Sequence, residues 1–116
     1  MTATATRNIS NEMRHCIDTC LNCHAVCEAT LSYGLAHHGS YADRHDVLVL
    51  LDCADICRTS ASFLLRGSNL HHHTCQACAT ICSACADWCD ERPHDPVMRQ
   101  CATTCRECAE SCLEMA

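Results

Sequence analysis

Residues 74–89 read TCQACATICSACADWC, with five cysteines at successive spacings of three, four, three and four. Cys-x-x-Cys pairs usually belong to zinc knuckles or redox motifs on loops or helix starts. No Gly or Pro breaks this stretch, and Ala fills several of the intervening positions, so it reads as continuous helix. At about 100° per residue, positions three and four apart return to one face, and the thiols form a stripe. A 4-3-4 spacing recurs at Cys16, Cys20, Cys23 and Cys27 and again at Cys101, Cys105, Cys108 and Cys112, while Cys53 and Cys57 form a shorter pair.

The breaks between these stripes predict four helices, at about residues 8–38, 43–66, 70–92 and 95–115, within a single domain spanning 1–116. Gly39 and Gly67 are expected to close the first and second helices. Asp95 and Pro96 are expected to open the fourth as N-cap and first helical residue. Short connections make consecutive helices antiparallel neighbours, so the fold class is all-α: an up-down-up-down four-helix bundle with a cysteine-lined core. Spacings of three and four mark the seam facing the bundle centre, where Leu and Ile ordinarily sit. The second helix departs from this. Its Leu50 and Leu64 continue the line of Cys53 and Cys57, and the further apolar runs VLVLL (47–51) and FLL (63–65) exceed one bundle face. An interface with other copies of the chain is expected there.

The chain's 15 cysteines would ordinarily suggest a secreted disulfide scaffold. An odd cysteine number, helical spacing, only three Gly and two Pro, and an N-terminal stretch without an apolar signal core all oppose that. The expectation is a cytoplasmic protein with reduced thiols. A formal charge of −6 without any basic run excludes phosphate-backbone recognition, so no nucleic-acid partner is expected. No apolar run approaches the ~20 residues of a membrane span, so no membrane partner is expected either. Equivalent mid-helix thiols without a distinguished nucleophile or oxyanion device argue against an enzyme.

Packing alone explains such a stripe poorly, because Leu buries more area at each site. Metal binding remains. Soft thiolates select Cu(I), Zn(II) or iron–sulfur clusters, and clusters usually sit in loop motifs. Tetrathiolate zinc carries two net negative charges, and burying several such sites without a cation on the seam is costly. Cu(I) at about one per thiolate leaves the interior neutral, and a thiolate bridging two ions suits an unbroken ladder. The reading is therefore a store of multiple Cu(I) ions on Cys16, Cys20, Cys23, Cys27, Cys53, Cys57, Cys75, Cys78, Cys82, Cys85, Cys89, Cys101, Cys105, Cys108 and Cys112. A copper chaperone or delivery protein and a zinc-thiolate store are the alternatives.

The segments CIDTCLNCHAVC, LLDCADICRTSASFLLRGSNLH, CQACATICSACADWC and MRQCATTCRECAESC, in this order, resemble the cysteine-rich four-helix-bundle copper storage proteins, specifically their cytosolic branch. The resemblance covers essentially the whole chain. It implies cytosolic Cu(I) storage and copper homeostasis, with most ions bridged between two cysteine sulfurs, and a homotetramer. It also implies that Met and His residues line the mouth of the core. No particular copper donor or acceptor is implied.

Extending the helical lines places His38, His71 and His94 on the stripes of the first, third and fourth helices, with Met98 just inside the last. They are candidate additional ligands. His15, His45, His72 and His73 fall to the side and read as solvated, and His24 flanks the first stripe. Antiparallel order gathers His37, His38, His45, His94 and Met98 at one end and Met13, His71 and Met115 at the other. The former end, holding the first and third connections, is the expected mouth.

Overall fold

The computed structural model describes residues 9–37 and 43–116. Four helices run through them: α1 (Asn11–His37), α2 (Arg44–Leu65), α3 (His71–Asp90) and α4 (Pro96–Met115). The packed pairs are α1–α2, α2–α3, α3–α4 and α4–α1, which closes a square antiparallel bundle around one axis. Among the described residues, no helix is long and apolar enough to cross a membrane.

Local chemistry sets the helix limits. Ser10 Oγ accepts the Met13 amide at 3.1 Å, and α1 begins at Asn11 with Ile9 and Ser10 before it, while Asn8 lies outside the described residues. Asp43 caps α2 by accepting the Asp46 amide at 2.9 Å. Gly67 follows α2 with φ of +65°, a left-handed conformation that costs glycine nothing. Asp95 accepts the Val97 amide at 2.9 Å, with Pro96 opening α4. Gly39 and His38 lie outside the described residues.

All fifteen cysteines are fully buried. Beside them the helices carry Ala54, Ala61, Ala79, Ala86, Ala102 and Ala109, each at most 5% exposed, and these small side chains let the backbones approach. Among the described residues, the bulky side chains that are buried gather towards the two ends. Ile17 and Leu64 fill the end formed by the N-termini of α1 and α3, and Leu50, Trp88 and Met98 fill the other. Leu50 and Leu64 thus continue the line of Cys53 and Cys57 as apolar material, while Leu48 on the outer side of α2 is 37% exposed.

Candidate metal centre

Cysteines on four antiparallel helices turn their sulfurs into one shared column. Starting at one end, Cys16 Sγ lies 3.7 Å from Cys112, which lies 3.6 Å from Cys20, which lies 3.7 Å from Cys108. Cys108 is 3.8 Å from both Cys57 and Cys78. Cys82 lies 3.5 Å from Cys57 and 3.7 Å from Cys53. Cys53 is 3.9 Å from both Cys23 and Cys105. Cys105 continues to Cys27 at 3.9 Å and to Cys101 at 4.0 Å. The column is unbroken from Cys16 to Cys101. Cys85 joins Cys27, Cys101 and Cys105 in a group whose sulfurs all lie within 4.8 Å of one another.

Other four-sulfur groups of the same tightness are Cys20, Cys78, Cys108 and Cys112, and Cys23, Cys53, Cys57 and Cys82. Further groups overlap these, for example Cys57, Cys78, Cys82 and Cys108. The overlap has a chemical meaning: a given sulfur belongs to more than one prospective metal site, as bridging requires. Among the described residues no Lys or Arg is buried in the column. Cys57, Cys105 and Cys112 are held well above the ordinary thiol range, by the neighbouring sulfurs of Cys108, Cys101 and Cys108 respectively and then by burial. Without metal they stay protonated and neutral at neutral pH. With metal they must give up that proton.

The ends of the column are chemically distinct. Beside the first and third connections, the seam of α2 ends at Asp46, only 2% exposed. Its Oδ1 accepts the Trp88 indole N–H at 2.7 Å and the Arg92 guanidinium at 3.1 Å, and Arg92 stacks 4.3 Å from the Trp88 ring centre. Its Oδ2 is buried without a hydrogen-bond partner. Met98 is fully buried in the same end layer, whereas His94, in the turn before α4, is exposed. At the opposite end, Ser60 takes a seam position of α2 and its Oγ lies 3.4 Å from Cys75 Sγ. His71 is half-buried, with Nδ1 2.9 Å from the Ser68 carbonyl oxygen. His24 bonds the Ala54 carbonyl through Nδ1 at 2.8 Å, tying α1 to α2 from outside the column.

Asp46 and Ser60 are neither cysteine nor histidine, yet both stand on the seam. A signal for both exists: Asp46 lies seven residues before Cys53 and Ser60 three after Cys57, so both fall on the α2 line. His94 shows the opposite failure. Asp95 is extended (φ −95°, ψ 115°), so the helical line of α4 cannot be continued back through the cap to His94.

A bundle whose described residues line its axis with an unbroken column of buried thiols defines a multinuclear metal–thiolate protein. The sequence profile described as copper storage protein matches residues 9–116. Among solved structures, the Nmul_A1745 protein from Nitrosospira multiformis is 36% identical, with a TM-score of 0.85 over 90% of this chain and 94% of that one. The copper storage protein Ccsp from Streptomyces lividans, loaded with 10 copper equivalents, is 34% identical, with a TM-score of 0.82 over 90% and 83%. The Cu(I)-bound copper storage protein BsCsp3 is 29% identical, with a TM-score of 0.84 over 91% and 99%. The chain belongs to the copper storage protein family.

Proposed function

We propose that this chain stores multiple Cu(I) ions on the thiolates of its bundle core, in the cytosol, as a sink without catalytic function. The carrying observation is the unbroken column of sulfurs at 3.5–4.0 Å, in which neighbouring sites share ligands. Cu(I) at about one per thiolate neutralises such a column, whereas a thiolate-rich divalent site leaves buried negative charge. The family and the copper-loaded relatives support this reading, and one of them, from Streptomyces lividans, is described as a cytosolic copper storage protein.

In this proposal the fifteen cysteines are the storing ligands. Met98 closes the column beside the first and third connections, with exposed His94 and with His38 as outer donors. His71 serves the opposite end. The outer face of α2, where Leu48 remains exposed, packs against other copies in a homotetramer.

Anaerobic titration of the fully reduced protein with Cu(I), against a chromophoric chelator, tests the reading. Capacity near one ion per thiol supports storage. One or two tightly held ions would replace it with a delivery role. Three would replace it with discrete tetrathiolate sites, since the structure holds three four-sulfur groups without shared members.

A further inference from the structure

The end of the bundle remote from the first and third connections carries a layer of soft ligands beyond the last thiols. Met13 lies three residues before Cys16 on α1, His71 four before Cys75 on α3, and Met115 three after Cys112 on α4. Each therefore stands about one helical turn beyond the last thiol of its helix, on the same face. Met13 and Met115 are half-buried and pack against the core. The opposite end is differently made: Met98 there is fully buried, and Trp88, Arg92 and Asp46 are bonded together across it.

Met13 and His71 also line one cavity of about 380 Å³, formed with Leu65 and the turn Gly67–Asn69. The His71 ring is held in the tautomer that coordination needs. Its Nδ1 faces the Ser68 carbonyl oxygen at 2.9 Å, and a carbonyl can only accept, so Nδ1 carries the proton. The lone pair is then on Nε2, the arrangement in which ligating histidines are typically held. A thioether and a neutral imidazole suit a soft monovalent ion. They bind it less tightly than thiolate because neither contributes charge. Arg66, whose guanidinium carbon lies 4.9 Å from the Phe63 ring centre, also lines the cavity and weakens cation binding further.

We infer that this cavity is a separate Cu(I) transfer site, with Met13 Sδ and His71 Nε2 as its ligands, opening a second way into the thiol column through Cys75 and Cys16. The inference rests on the copper reading above. A weak two-ligand site beside a strong multi-thiolate one passes ions inward, and it fills last at equilibrium. From His71 to Cys75 the step is four residues, about 6 Å along the axis. From Cys16 the column is continuous through Cys112.

The test uses the full chain, reduced, with ¹³C-methyl methionine and ¹⁵N histidine, titrated anaerobically with Cu(I) past one equivalent per thiol. The Met13 methyl and His71 Nε2 resonances should shift together as about one further ion binds. Met13→Leu and His71→Gln should each abolish the shift of the other residue, release that ion and slow uptake severalfold, with the thiol-bound ions retained. Both substitutions keep side-chain size at half-buried positions, and far-UV circular dichroism checks that the bundle persists. Complete thiol loading with silent Met13 and His71 resonances overturns this site alone. Native uptake rates in both variants also overturn it. Failure of the wild-type thiols to load overturns the storage reading and the transfer site with it.

Discussion

Replacing Cys53 and Cys57 together by Ser distinguishes a continuous column from a set of separate cages. The two thiols are the whole contribution of α2, and they touch Cys23, Cys78, Cys82, Cys105 and Cys108 between them. The change removes the central group Cys23, Cys53, Cys57, Cys82 and leaves two intact: Cys20, Cys78, Cys108, Cys112 and Cys27, Cys85, Cys101, Cys105. If each thiolate bridges and the charge balance sets stoichiometry, capacity falls by only two, to about thirteen Cu(I). If four-thiolate cages fill independently, capacity is three in the wild type and two in the variant. The fold should survive, because Ser60 already places a hydroxyl on the same seam, 3.4 Å from Cys75 Sγ. Each buried hydroxyl should cost about 1–2 kcal/mol where it is imperfectly bonded. Equilibrium titration against a chelator of known affinity, with circular dichroism on the metal-free variant, measures both quantities. A wild-type capacity near three, or a fall of one-third in the variant, would refute the bridged column.

Asp46→Asn keeps the shape of the buried side chain but removes the charge that Trp88 and Arg92 address. Hydrogen bonds to a charged group contribute about 1.5–3 kcal/mol, and Arg92 is partly solvated, so a loss of about 2 kcal/mol and about 8 °C in Tm is expected; an unchanged melting curve and Trp88 emission would refute it. The metal-free protein should also weaken in alkali. Burial disfavours the thiolate form at all fifteen cysteines, and at Cys57, Cys105 and Cys112 the neighbouring sulfurs push in the same direction, above the unfolded thiol value of about 8.5. The folded state therefore holds more protons above that pH, and the stability they contribute is complete below pH ~8.5 and declines as pH rises towards the folded values. Urea unfolding at pH 7.5 and 10 measures this, and equal midpoints would refute it.

The bundle and its metal-lined interior are legible because the residues that determine them obey one period. A thiol every three or four positions fixes the helix, the buried face and the chemistry of that face together. What stays hidden has no such period. Asp46 is acidic, and a charged residue on a seam line normally marks the end of the buried face; the indole of Trp88 in α3 and the guanidinium of Arg92 in the turn after it make its burial tolerable. Met98 and His94 look equivalent when a helix is extrapolated in both directions. The Asp95 cap separates them, leaving Met98 inside and His94 outside. Gly67 was readable in advance, since a left-handed residue ending a helix is a local requirement that needs no tertiary partner.

The spacing of the thiols also bears on how copper enters. Contacts of 3.5–4.0 Å are ordinary packing distances for sulfur, so the metal-free column is closed on itself. With a metal–sulfur bond of about 2.3 Å, the length typical of zinc thiolates, two sulfurs at 3.7 Å subtend roughly 107° at the ion. A linear two-coordinate ion would need them about 4.6 Å apart. Digonal Cu(I) between sulfurs now in direct contact therefore requires those pairs to separate by roughly 0.6–1.1 Å on loading. Cysteine can supply that by rotating about its single χ1. The backbone is poorly placed to supply it, because Ala54, Ala61, Ala79, Ala86, Ala102 and Ala109 are packed beside the column and Leu50 and Leu64 wedge both ends of α2. Crystal structures of the reduced and fully loaded forms should then show the sulfurs displaced while the Cα atoms of α2 stay in place. Copper-bridged pairs that remain under 4.0 Å would mean bent, higher-coordinate copper sharing more thiolates per ion. Capacity would then fall below one ion per cysteine even though every thiol is engaged.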